Sequence, residues 1–246
     1  MAFGLSCFVS DAFVQEAKTW LPPYIGRHVL ERWSQGRSAI LSLDEIRHAN
    51  DGTGLNVLVL HYGWVESGYD SAQSTAIRNT LPQAFMETHR GYHLKEFLQE
   101  VYGAEELSIL RSTGVLLRTD YAGLPTGGLP PPDREPYLVG VTPQEAQGTP
   151  LAAMIFLHSE PRLRLTTNER AMLRHALAGH TDEELARVLG VAPVTVKKRW
   201  EGIYDRAAGA DDELAFLTDP LDGRRGAEKR RHLLAYLQRH PEELRP

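Results

Sequence analysis

The chain has 246 residues, 42% hydrophobic and 24% charged, with a formal net charge of −5, a composition expected of a soluble chain long enough for two domains with cores of their own. Its single cysteine, Cys7, excludes an intramolecular disulfide and a thiolate zinc cluster, and no run of 18 apolar residues offers a membrane span. The charge is uneven: residues 1–160 carry 11 Lys and Arg against 18 Asp and Glu, whereas residues 161–246 carry 16 against 14, so the acidity sits in the part that need not meet nucleic acid.

The opening MAFGLSCFVSDAF has neither the basic start nor the cleavage pattern of a secretory signal, which predicts a cytoplasmic location. Cys7, between Leu5 and Phe8 on either side of it, reads as a small packed residue, with a redox thiol as the alternative. From Ser10 to Trp20 the spacing of Phe13, Val14 and Ala17 predicts a helix, which Pro22-Pro23 ends; Ile25, Val29, Leu30 and Trp33 begin a second. Strands are predicted over Ser38–Leu43, Leu55–Tyr62, Thr113–Thr119, Tyr137–Val141 and Leu151–Leu157. Between the second and third, Leu94, Phe97, Leu98 and Val101 read as the buried stripe of a helix stopped by Gly103. Gly127-Gly128 and the run Pro130 to Pro132 read as a loop.

This order lacks the strand-helix alternation of a doubly wound sheet. It predicts an α+β chain whose residues 1–160 form an α/β, sensor-like domain, with an antiparallel sheet and helices on one side of it. The general architecture resembles a PAS or GAF module, a likeness without a motif that names no ligand. If the domain holds a small-molecule effector, His61, Tyr62 and Trp64 at the end of the apolar second strand are the candidate lining; otherwise they are core and rim aromatics. No phosphate-cradling glycine loop, no Gly-x-Ser-x-Gly elbow and no HExxH pattern is present, and Gly91 separates His89 from His93. The sequence therefore nominates no catalytic residue, no metal ligand and no cofactor.

Residues 161–218 read as an all-α, helix-turn-helix domain. Thr166 and Glu169 form a capping box before Met172, Leu173, Ala176 and Leu177, and Gly179 stops that helix. Thr181 and Glu184 repeat the device before Leu185, Ala186, Val188 and Leu189, and Gly190 ends the second helix. Pro193 suits the first position of a third, running to about Arg206. Val196, Trp200, Ile203 and Tyr204 fall at core spacing, leaving Val194, Thr195, Lys197, Lys198 and Glu201 outward on a helix of the width that fits the major groove.

The run APVTVKKRWEGIYDRAAG, with Thr195, Val196 and Lys197, resembles the recognition segment of the LuxR/FixJ-type helix-turn-helix family, and DEELARVLGV resembles its second helix. Leu165-Thr166 and Glu169 match the family's opening, while Asn168, Ala192 and Arg199 depart from it. The resemblance covers roughly 45 residues and implies a transcription regulator that binds double-stranded DNA as a homodimer, dimerising through a short helix at Asp212–Leu217. Val194, Thr195 and Lys198 would then approach base edges, and Lys197, Arg199 and Arg206 phosphates.

Residues 219–246 read as a basic helical extension. From Arg224 to Arg239, Arg224, Arg225, Lys229, Arg230, Arg231 and Arg239 stand against Glu228 alone, with Leu233, Leu234 and Leu237 as the apolar face. Two readings stay open: the helix docks on the DNA-binding domain and offers its arginines to phosphate, or it is a solvated amphipathic end. The alternative for the whole chain is an enzyme or ligand-binding protein that uses its helical domain as an interaction platform.

Overall fold

The apolar runs of the first 158 residues assemble into one five-stranded sheet in the computed structural model, which describes residues 2–64, 71–124, 134–210, 212–217 and 226–246. The strands are β1 (Ala2–Val9), β2 (Leu55–Trp64), β3 (Leu94–Tyr102), β4 (Leu116–Asp120) and β5 (Pro136–Val141), in the order β1-β2-β3-β5-β4. Three pairings are antiparallel, but β2 and β3 run parallel, so the sheet is mixed and not the antiparallel one expected. The cause lies in the connection: parallel neighbours need a long crossover, and the helix α4 (Ser71–His89) lies between them.

Helices cover both faces of the sheet, where one covered face was expected. On one face α1 (Asp11–Thr19) and α2 (Ile25–Ser34) bury Phe13, Val14, Ala17, Ile25 and Val29 against Leu58, Leu98 and Leu138. On the other, Val57, Val59, Phe97, Val101, Val139 and Val141 meet α3 (Leu43–Asn50), α4, α5 (Ala104–Ser112) and α6 (Pro150–Ala153) with its 3₁₀ continuation Met154–Phe156.

The double cover explains the largest departure from expectation, since 94–102 is the central strand β3 and not a helix. Phe97 and Val101 point into one core and Leu98 into the other; with both faces buried, apolar residues fall three and four apart and imitate a helical stripe. Among the intervening polar groups Glu96 is buried and Glu100 half-buried, and both are paired. Glu96 takes Lys18 Nζ at 3.0 Å, and Glu100 accepts the N–H groups of Tyr24 and Ile25 at 2.7 and 3.0 Å, capping α2. Burial pushes the Glu100 pKa up, against the pull of those bonds.

Two predicted strands are otherwise formed. Within 38–43 only Ile40 bridges to β1, because Ser42 with Glu45 closes a capping box that starts α3. Within 151–157 Pro150 at the first helical position nucleates α6. The edge strand β1, unforeseen, pairs with β2.

A second unit, Ser159–Pro246, contains α7 (Thr167–Leu177), α8 (Asp182–Leu189), α9 (Pro193–Ala210), a 3₁₀ turn at Asp212–Leu217, α10 (Gly226–Arg239) and a closing 3₁₀ turn, Pro241–Leu244. Both capping boxes form, with Thr166 and Thr181 each accepting an N3 N–H and each backbone N–H donating to the glutamate at 2.8 Å. Gly190 takes the left-handed conformation, φ 63°, that a side chain would disfavour.

Met172, Leu173, Leu185, Val196, Trp200, Ile203 and Ala207 share one core with Leu214, Leu217, Leu233, Tyr236 and Leu237. The described part of the extension, 226–246, thus shares its core with the three helices, and its end is tied back: Glu243 accepts the N–H groups of Arg162 and Leu163 at 2.8 and 2.9 Å. Among the described residues no helix is long and apolar enough to cross a membrane. The loop at 127–132 and the residues Arg224 and Arg225 lie outside the described residues.

Candidate nucleic-acid interface

The geometry of α9 follows from its seam. Val196, Trp200, Ile203 and Ala207 recur at four, three and four residues and are all buried, so the opposite ridge is fixed by helical geometry. Tyr204, placed in the core by spacing, is half-buried and stacks on Trp200 with ring centroids 5.8 Å apart. The helix starts without a side-chain cap: Ala192 supplies only its carbonyl, to Thr195 N–H at 2.8 Å.

The outward ridge is Val194, Lys198, Glu201 and Asp205, all exposed; Val194 has 60% of its surface free. Lys197 is exposed on one flank of this ridge, and Thr195 and Arg199 are half-buried on the other. Positive charge is concentrated in the N-terminal half of the helix, and Glu201 and Asp205 follow it.

Lys197, Lys198 and Arg199 are three consecutive cations whose side chains have no hydrogen bond or ion pair among the described residues, a condition that the isolated, exposed Arg164 and Arg187 share. Several other cations of the unit are used internally. Arg206 forks onto Glu169 with bonds of 2.8 and 2.5 Å and reaches the Arg164 carbonyl at 3.1 Å, so it braces α9 against the capping box of α7. Burial pushes the Glu169 pKa up, but the Arg206 fork and the Thr166 N–H and hydroxyl together hold it below the ordinary range. Arg170 and Arg174 bond the carbonyls of Arg245 and Leu244, Lys229 bonds the Leu217 carbonyl at 2.7 Å, and Arg230 pairs with Asp182 at 2.7 Å. Arg239 pairs with Glu213, and Arg231, 75% exposed, lies 3.9 Å from Glu228.

In the first unit His61 and Tyr62 of the candidate effector residues have different surroundings. Leu5 opposes His61 and Ser6 opposes Val59, which leaves Leu60 bulged and turns Tyr62 into the core of Val57 and Val59. There burial, with Glu106 nearby, pushes the Tyr62 phenol up to about 12. His61 is exposed beside the Phe3 ring, centroids 5.3 Å apart, and the Trp64 side chain lies outside the described residues.

A cleft of about 430 Å³ opens elsewhere in that unit, lined by Val9, Leu41 and Ala49 with Asp11, Asn56 and Lys95 among its polar groups. Its polar groups bind one another, Asp11 accepting from Asn56 at 2.6 Å and Lys95 at 2.7 Å. His89 and His93 are separately engaged: His89 lies 2.9 Å from the Ser6 hydroxyl and 2.8 Å from the Phe85 carbonyl, tying α4 to β1, while His93 stacks on His158 at 5.0 Å. Among the described residues no group of three His, Cys, Asp or Glu is placed to hold a metal ion.

No family model matches this chain, and neither a curated protein nor a solved structure matches it.

Proposed function

We propose that residues 159–246 are the DNA-reading unit of a transcription regulator, with α9 entering the major groove of double-stranded DNA. The observation that carries this reading is the unspent charge of α9. Lys197, Lys198 and Arg199 are unpaired among the described residues while Arg170, Arg174, Arg206, Lys229 and Arg230 are each bonded within the unit. A folded domain that bonds Arg170, Arg174, Arg206, Lys229 and Arg230 internally and leaves three consecutive cations free, on the helix whose opposite face is its core, is prepared for an anionic partner.

In this reading Val194, Thr195 and Lys198 at the N-terminal half meet base edges, Val194 being suited to a thymine methyl, and Lys197 and Arg199 meet phosphates. Glu201 is one turn further along, where a carboxylate accepts from a cytosine amino group. Arg206 acts from inside, holding α9 on α7. The regulator binds as a homodimer to paired half-sites, and the acidic first unit receives the controlling signal from a small molecule or a protein.

The test is fluorescence anisotropy of the full chain on random-sequence duplexes at two salt concentrations. Binding should weaken as salt rises, and Lys197→Ala should flatten the logarithmic salt slope by about 1. Lys198→Ala should cost about 1–3 kcal/mol on a selected site. A folded chain with no salt-dependent binding refutes the reading and points to the helical unit as a protein-interaction platform.

A further inference from the structure

We infer that Arg230, on α10, is a positioning residue for the reading helix α9, so that the C-terminal helix takes part in sequence discrimination without touching DNA. The inference rests on the DNA-reading proposal above and adds a residue outside its three helices.

Arg230 makes three contacts at once. Its Nη1 donates to Asp182 Oδ1 at 2.7 Å, its Nη2 to the His180 carbonyl at 2.7 Å, and its guanidinium carbon lies 4.7 Å from the centroid of the Trp200 ring. The same Asp182 oxygen accepts Trp200 Nε1–H at 3.1 Å. Asp182 is the first residue of α8, His180 precedes that helix's cap, and Trp200 is the largest core side chain of α9. One planar cation therefore fixes the entry of α8, the carboxylate that orients the indole, and the face of the indole itself.

A lysine would supply the charge but not the fork and the stacking plane. Arg230 is 22% exposed, in contrast to its neighbour Arg231, 75% exposed.

The consequence for reading follows from helical geometry. Lys198 precedes Trp200 by two residues and so points about 200° away around the axis. On a rigid helix, any rotation of Trp200 in its seat turns the ridge of Val194, Lys198 and Glu201 by the same angle. Base contacts depend on that angle, whereas attraction to phosphate tolerates it.

The deciding experiment uses the full chain with Arg230→Gln, Asp182→Asn and, as a control, Arg231→Gln. Two probes are compared: the duplex that the parent chain enriches from a random-sequence library, and a scrambled duplex of the same composition. Arg230→Gln is expected to lower affinity for the enriched duplex about tenfold, or about 1.4 kcal/mol, and to leave the scrambled duplex nearly unchanged. The salt slope should stay that of the parent.

Asp182→Asn, which keeps an oxygen for the indole N–H but removes the ion pair, should shift the affinity ratio in the same direction. Arg231→Gln should not shift it. Simple destabilisation would lower both affinities by the same folded fraction. An equal loss on both duplexes, a slope flatter by about 1 as for a phosphate contact, or an unchanged ratio in both variants overturns the inference.

Hydrogen exchange without DNA reads the same contact: amides from Lys198 to Tyr204 should exchange several-fold faster in Arg230→Gln, and parental protection overturns the positioning role. A parent chain that enriches no duplex refutes the DNA-reading proposal instead, and the exchange result still decides whether Arg230 holds α9.

Discussion

Shortening Leu233 to alanine tests whether α10 belongs to the core that seats α9. The Leu233 side chain is fully buried, in the cluster that contains Val196, Trp200 and Ile203. Removing three carbon groups forfeits about 2.4 kcal/mol at about 0.8 kcal/mol for each. A residual cavity of about 40 Å³ adds about 1 kcal/mol at about 24 cal/mol per Å³.

The expected destabilisation is therefore about 3–4 kcal/mol, and for a unit of this size the transition should fall by at least about 12 °C. Calorimetry of the full chain measures it, with hydrogen exchange of α9 amides assigning the shifted transition to the second unit. Leu234, half-buried on the same helix, should cost about 1 kcal/mol when shortened to alanine. A loss below about 1 kcal/mol for Leu233→Ala, or equal losses for the two variants, would show that α10 is a peripheral helix.

Three further outcomes follow from single contacts. The Glu169 carboxyl titrates below its ordinary 4.5 in the folded chain, so the unfolded chain takes up that proton first on acidification. Its stabilisation is complete above the unfolded value and drains away as pH falls through the lowered folded one; Glu169→Gln should cost about 1–2 kcal/mol at neutral pH and show a shallower acid loss in urea titrations. Parallel pH curves for parent and variant would show that the Arg206 fork carries no stability.

Gly140→Ala would set a Cβ 2.8 Å from the Phe97 carbonyl and 2.8 Å from Leu98 Cδ2. The carbonyl cannot leave the β3–β5 ladder, so the first unit should lose about 1–3 kcal/mol in a urea melt, and a change inside about 0.5 kcal/mol would contradict the close approach. Burial pushes the Cys7 thiol up to about 11, so alkylation at pH 8 should be slow on the native chain and fast in urea; equal rates in the two conditions would place Cys7 at an accessible surface.

The helical unit was legible because its signals are local. Thr166 with Glu169, Thr181 with Glu184, Gly190 and Pro193 each act within one turn of the backbone, and hydrogen bonds of that range need no tertiary partner to be specified. The seam of Val196, Trp200 and Ile203 fixed which residues of α9 would face outward, and Val194, Lys197, Lys198 and Glu201 are exposed as the spacing required. The role of Arg206 was not visible, because its charge gave no sign that Glu169, 37 residues earlier, would take it. Nor did the basic count of the extension show that Arg230 and Lys229 are spent on Asp182 and the Leu217 carbonyl.

In the first unit local spacing placed α1, α2, β2 and β5, but tertiary structure decided β3 and how the sheet is assembled. A strand buried on both faces carries no alternation, so 94–102 read as helical until two layers of helices gave Phe97 and Leu98 separate cores. The parallel pairing of β2 with β3 and the bulge at Leu60 that reverses Tyr62 are properties of strand register, which is set between segments far apart in the chain. Composition and local spacing by themselves determined where the chain changes character, which helices cap themselves and which cations α9 turns outward. Which of the chain's many charges remain available to a partner was settled only by packing, because a cation is free or spent according to neighbours that the fold alone supplies.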